Sequence, residues 1–341
     1  MRFRAVLALA AFGVLGVAAL VFPPPSGRPG PFVTDPARPT DAKMFESVVV
    51  RLRSGEPYYQ AMGDALRRGD YPVGSPFNWR TPLHLVAVAT VPWLASRAVL
   101  TGLLVSLFAV TMASIRGPSL LVATIGGLQL GLVALQSAHD AVYLNEIWSG
   151  TLIGLSVCAF GLRRTLPAVA LGIAALFVRE LAAPYCVACV LMATWARQRR
   201  ECAAWLVGAA AYAGYYAWHV AQVVAHLGPT DAAAETDWVT LGGLPFLQSA
   251  LRKLGWLSLL PDWVTALTLV ALVAGITRSA APAHARAGAA AFVGFFLIAG
   301  LPFNDYWGWL AAPIWAIVCG HGVVGLWESL RRASGRGLSI S

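Results

Sequence analysis

RRTLPAVALGIAALFVRELAAPYCVACVLMATWARQRR, residues 163–200, is two apolar runs hinged on one charged pair, Arg179-Glu180, and closed at both ends by arginines. Each run between Arg164 and Arg197 has about 16 residues, which at a rise of roughly 1.5 Å each is just enough helix to cross the apolar part of a thin bilayer. The two arginine clusters then stand on one side and Arg179-Glu180 on the other. No slack remains for a loop, so the pair sits at a hairpin apex near headgroup depth, where an unpaired charge is costly.

The same alternation runs outward in both directions. Arg2 and Arg4, Arg116, Arg163 and Arg164, Arg197, Arg199 and Arg200, Arg278 and Arg286, and Arg331, Arg332 and Arg336 occupy alternate short segments between apolar runs. After residue 100 the intervening segments hold only Arg179, Arg252 and Lys253, but they carry Asp140, Glu146, Glu180, Asp231, Glu235, Asp237, Asp262 and Asp305. This is the positive-inside pattern of a multi-pass membrane protein. A hydrophobic share of 58%, a charged share of 12% and a mean hydropathy of +0.66 leave too little polar surface for a water-soluble globule.

The expected fold is therefore all-α, a polytopic integral membrane helical bundle of about ten transmembrane helices. Its spans run from Phe3 to Phe22, Ala95 to Ile115, Ser119 to Ala138, Ile147 to Leu162, Thr165 to Val178, Leu181 to Ala196, Ala203 to His226, Trp263 to Ile276, Ala287 to Phe303 and Trp309 to Leu330. The even number places both termini in the cytoplasm. Residues 1–22 read as an uncleaved anchor, 23–94 as an extracytoplasmic loop, 95–330 as the bundle and 331–341 as a cytoplasmic tail.

The first loop opens on a proline-rich stretch, 23–39. Thr40 then reads as an N-cap, with Asp41 in the first turn and Phe45, Val48, Val49 and Leu52 at helical spacing before Gly55. A second helix starts at Pro57 and stops at Gly69. Residues 71–82 are too rich in proline to be regular, and a third amphipathic piece, Leu83 to Leu94, leads into the next span. These are interfacial helices, lying on the membrane or against the bundle.

Several chemistries are disfavoured. The net charge of +9 lies at the cytoplasmic ends of spans, where anionic headgroups favour it, so it does not indicate nucleic acid. No phosphate-binding loop, dinucleotide fingerprint or H-E-x-x-H appears. Cys186 and Cys189 form a C-x-x-C without a second pair or a histidine, so no metal site is expected; a divalent metal stays open as a cofactor, with no motif in support.

The order of elements resembles the GT-C superfamily of polytopic glycosyltransferases. The resemblance rests on the anchor, Asp41 early in the outer loop, Gly55-Glu56-Pro57-Tyr58-Tyr59 closing the interfacial helix, the proline-rich approach, the turn His139-Asp140-Ala141-Val142-Tyr143-Leu144-Asn145-Glu146, and the span that runs from Arg163-Arg164 to Arg179-Glu180. It covers roughly the first 200 residues as an order of elements.

The resemblance implies a polyprenyl-phosphate sugar donor, Asp41 as catalytic base, and a bacterial inner membrane setting, with a glycan, lipid or protein acceptor and membrane lipids as the other partners. Asp41 is followed by Ala42, not by a second acid, which departs from the frequent pattern and from its metal dependence. Glu146 or Asp140 then assists the base or orients the acceptor. Arg179 holds the donor phosphate bidentately, with Glu180 beside it and Arg80 or Arg252 in support.

Asn78, Trp79, His139, Tyr143 and Asp305 complete the expected pocket. Each has a plainer reading. Asp41 suits any first helical turn, Arg179-Glu180 can mark a turn and snorkel, residues 139–146 can be a solvated turn, and Asp305 with Trp307 can anchor an aromatic belt. The alternative function is non-catalytic, a transporter of lipid-linked saccharide or a membrane assembly protein. An outer-face hydrolase lacks a nucleophile paired with a base.

Overall fold

Each apolar run that the sequence marks as a span between Ala95 and Leu330 is mainly helical in the computed structural model, which describes residues 40–136, 139–229, 231 and 241–334 together with Ala10 and Val14; the run from Leu181 to Ala196 opens on a 3₁₀ turn, and that from Ala287 to Phe303 leaves its helix at Ile298. The expected first span lies outside the described residues apart from Ala10 and Val14. So do the stretch 23–39 and residues 335–341.

In chain order the helices are α1 (Asp41–Arg53), α2 (Tyr58–Arg68), α3 (Pro76–Trp79), α4 (Pro82–Thr90), α5 (Trp93–Ser114), α6 (Ser119–Gln136), α7 (Asn145–Gly161), α8 (Thr165–Val178), α9 (Ala183–Trp195), α10 (Arg199–Ala225), α11 (Gly243–Leu251), α12 (Asp262–Thr277), α13 (Ala283–Ile298) and α14 (Gly308–Ala333). Short 3₁₀ turns cover His139–Tyr143, Glu180–Ala182, Gly255–Leu259 and Pro302–Trp307. The chain is all-α, with no strand among the described residues.

Among the described residues two helical stretches, Trp93–Ser114 and Phe303–Ala333, are long and apolar enough to cross a membrane by length and composition, and five others are apolar but shorter. Burial separates the two. The apolar window of Trp93–Ser114 is 28% buried and that of Phe303–Ala333 is 72% buried, so α5 is peripheral and α14 is the central post. Around α14 pack α6, α7, α12 and α13.

Glycine sets how closely they pack. A Cβ on Gly322 would run into the carbonyl of Ala271, and one on Gly275 into that of Val318, so α12 and α14 touch backbone to backbone. A Cβ on Gly150 would likewise meet the carbonyl of Trp309. That contact brings the first turn of α7, with Glu146, to the same end of the bundle as the Pro302–Trp307 turn.

The first loop folds against this end with a core of its own. Thr40 caps α1 by accepting from the Lys43 amide at 3.4 Å, and Phe45, Val48 and Val49 face Tyr59, Met62 and Leu66 of α2. Val142 and Ile147 close the same cluster, so these helices lie against the bundle. Residues 71–82 differ from expectation in holding one helical turn, α3, whose first residue is Pro76 where a missing amide costs nothing. The third piece ends at Thr90, because Val91 precedes Pro92 and is forced extended.

Candidate functional site

Four chain segments supply charges to one cluster: the start of α1, the turn after α3, the first turn of α7, and the hairpin apex between α8 and α9. The apex is docked onto α7. Asn145 Nδ2 donates to the Val178 carbonyl at 3.0 Å and Ser149 Oγ to that of Ala175 at 2.9 Å. This fixes Arg179 over Glu146, and Arg179 Nε donates to Glu146 Oε1 at 2.7 Å.

Arg179 Nη1 donates to Glu180 Oε1. Arg179 is 2% exposed, Glu146 1% and Glu180 9%, so the guanidinium is buried between two carboxylates. Such a group needs them, since an unpaired charge there would be expensive.

Arg80 is the second buried cation, 6% exposed. Its backbone has φ of 54° and ψ of 153°, a region that favours glycine, and this strain is held by neighbours. Tyr58 donates its hydroxyl to the carbonyls of Trp79 at 2.8 Å and Arg80 at 3.2 Å, and Thr81 Oγ1 donates to Phe177 O at 3.2 Å. The side chain donates from Nη1 to Phe77 O at 2.7 Å and from Nη2 to Tyr306 Oη at 3.1 Å, and lies 4.0 Å from Glu146 Oε1. Although burial works against its charge, Arg80 is held above the ordinary arginine value by Tyr306, Glu146, Glu180 and Asp41.

Asp41 joins from the other side. Tyr71 donates its hydroxyl to Asp41 Oδ1 at 2.6 Å, and burial together with that carboxylate keeps the phenol far above the tyrosine range, so it remains a donor. Tyr306, on the Pro302–Trp307 turn, accepts from Arg80 and so adds its hydroxyl to the cluster. Two buried polar atoms of the cluster, Arg80 Nε and Glu146 Oε2, have no hydrogen-bond partner among the described residues.

A cavity of about 990 Å³ opens on this cluster. Arg80, Arg179 and Glu180 line its head. Its body is apolar, running past Val187, Leu191 and Met192 of α9 and Ala291, Phe295 and Ile298 of α13, with Tyr212 and Tyr216 of α10 on one wall. The shape and lining suit an amphiphile with an anionic head.

The other expected residues lie elsewhere. Asn78 Nδ2 donates to Pro72 O at 2.6 Å, and fully buried Trp79 donates from Nε1 to Val73 O at 2.8 Å, so both hold the loop together. Asp140 is exposed, Tyr143 donates its hydroxyl to Glu46 Oε1 at 3.3 Å, and Asp305 pairs with Lys253 at 2.8 Å. Arg252 pairs with Asp262. His139 begins a 3₁₀ turn, and its side chain lies outside the described ones. Tyr71 is a contributor that the sequence alone does not single out, whereas Tyr306 lies in the polar and aromatic apex of residues 304–307, which the sequence marks equally for sugar stacking and for a belt anchor.

Outside the cavity lining, buried His84 of α4 packs its ring 5.5 Å from that of Trp148. Burial lowers its imidazole from 6.5 to about 4, with Asn145, Glu146 and Val142 acting the other way. Between those values the unfolded chain binds a proton that the folded chain refuses, so stability falls as pH drops through this window. His84→Gln is expected to flatten that part of the slope, as read by thermal midpoints in detergent from pH 4 to 7. An unchanged slope would place the acid sensitivity elsewhere.

The chain matches no family model, no curated protein and no solved structure.

Proposed function

We propose that this chain is a multi-pass integral membrane glycosyltransferase of GT-C type, acting at the extracytoplasmic face of a bacterial inner membrane. It transfers a sugar from a polyprenyl-phosphate donor to a cell-envelope acceptor. The observation that carries this reading is the apolar cavity headed by two buried guanidiniums, Arg80 and Arg179. Outward-facing Leu94, Leu166, Leu206, Val207 and Leu267 are exposed in number, which a lipid surround explains and water does not. With the positive-inside pattern and the order of first-loop elements, they support the remaining spans and the outward placement of the site.

In this mechanism the donor slides in between α9 and α13, its tail in the cavity and its phosphate on Arg179 and Arg80. Asp41 takes the proton from the acceptor hydroxyl. The oxygen attacks the anomeric carbon as the bond to the phosphate oxygen breaks, so the configuration inverts and lipid phosphate leaves with its charge held by the guanidiniums. Tyr71 orients Asp41, and Tyr306 bridges the cationic and acidic sides.

Purified protein incubated with a panel of polyprenyl-phosphate sugars and an envelope extract is expected to release lipid phosphate and transfer one sugar. Release from none of them, by protein that is folded and lipid-supplemented, would remove the transferase reading.

A further inference from the structure

The charged cluster at the cavity head already counts three carboxylates, of Asp41, Glu146 and Glu180, against two guanidiniums, of Arg80 and Arg179. A phosphate arriving there would add to the negative excess unless one carboxylate moves. The two that hold Arg179 are not equivalent. Glu146 belongs to the first turn of α7, a helix of 17 residues, and does not line the cavity. Glu180 lines the cavity and sits on a 3₁₀ turn of three residues.

A place for it to go is at hand. Tyr212 lines the same cavity, its hydroxyl is buried, and that hydroxyl has no hydrogen-bond partner among the described residues. Glu180, Tyr212 and Tyr216 all line that one cavity. A buried phenol left without an acceptor is costly, and a carboxylate swinging toward it would remove that cost.

We infer that Glu180 is a resident anion, occupying the phosphate position on Arg179 in the empty site and exchanging onto the Tyr212 hydroxyl when the phosphate head of a lipid enters. The exchange is neutral in charge at Arg179, one anion for another. Glu180 thereby acts as a positioning and selectivity residue: it keeps Arg179 paired when the site is empty, and only a ligand whose tail fills the cavity repays its displacement. This rests on the lipid-phosphate reading above.

Binding, not turnover, tests it. Farnesyl phosphate is titrated into the full-length protein in detergent, followed by tryptophan fluorescence or calorimetry, with inorganic phosphate as the head without the tail. Glu180→Gln is expected to bind farnesyl phosphate roughly tenfold tighter than the parent, the scale of one charge-assisted hydrogen bond. Tyr212→Phe is expected to weaken binding by a few-fold to about tenfold in the parent, yet to have little effect when Glu180 is already glutamine. A simple loss of negative charge would give the first result without that dependence between the two positions.

Equal affinity of parent and Glu180→Gln, or an effect of Tyr212→Phe that persists unchanged in the double variant, would overturn the exchange while leaving the lipid-phosphate site intact. Should Glu180→Gln fail to fold, a Tyr212→Phe protein with parental affinity overturns it alone. No binding of farnesyl phosphate to any folded variant, or binding no tighter than inorganic phosphate, would remove the exchange and the underlying reading together.

Discussion

Asp41→Asn protein is expected to fold as the parent does, bind farnesyl phosphate with parental affinity, and transfer sugar 10²- to 10⁴-fold more slowly, the usual consequence of removing a general base. Asparagine keeps an oxygen to accept the Tyr71 hydroxyl but cannot take a proton, so the 2.6 Å contact survives while the chemistry does not. Asp41 sits in the first turn of a capped helix whose dipole favours an acid, and the stability loss on neutralising it is at most about 1 kcal/mol. Single-turnover rates with preloaded donor separate the chemical step from binding. A folded Asp41→Asn protein with full transfer would move the base elsewhere, and Glu146, with its unpartnered oxygen, would be the next residue to test.

Glu146→Leu is expected to have the largest effect on stability. It strips the buried Arg179 of its 2.7 Å partner and takes from Arg80 its nearest carboxylate, leaving cationic charge uncompensated. Breaking a buried pair from one side costs about 3–5 kcal/mol, which in a chain of this size lowers the thermal midpoint by roughly 5–10 °C. The double variant Glu146→Leu/Arg179→Leu should recover most of that loss, because two apolar groups of similar bulk do not leave a buried charge behind. It should nevertheless bind no lipid phosphate. Recovery of both stability and binding would mean that Arg179 is purely structural and that Arg80 alone receives the head group.

These two outcomes bear on different layers of the molecule. The base acts through one proton and leaves packing untouched, whereas the Glu146-Arg179 pair is at once part of the core and part of the site. The cavity can therefore afford a charged head only because α7, α8 and the hairpin apex are locked by Asn145 and Ser149 before any ligand arrives.

Much of the helical framework follows from local chemistry alone. Thr165 to Val178 has the same limits as an apolar run and as a helix, because arginines bound it on both sides and nothing inside it breaks the backbone pattern. Thr40 capping α1 and Gly69 ending α2 act within a few residues, so each was legible without knowing any neighbour, whereas the reading from Leu83 to Leu94 ran through Pro92, which separates α4 from α5. The scarcity of residues between Arg164 and Arg197 also determined that Arg179 and Glu180 share a tight apex.

Pairing across the chain was another matter. Tyr306 meets Arg80 across 226 positions, and nothing local to either residue specifies the other. Asn78 and Trp79 looked fit for a pocket because they are polar and aromatic in an irregular loop, but the loop's own unpaired carbonyls claimed both. Asp140 and Glu146 stood together in one short turn. Helix α7 began between them, so one was left exposed and the other was drawn beneath a guanidinium. Sequence by itself determined where most helices start and stop and which charges cluster at which ends, since these depend on hydrogen bonds and solvation within a few residues. Only the tertiary structure decided which charges are buried against one another, because that depends on close backbone contacts such as Gly150 against Trp309, made between segments far apart in the chain.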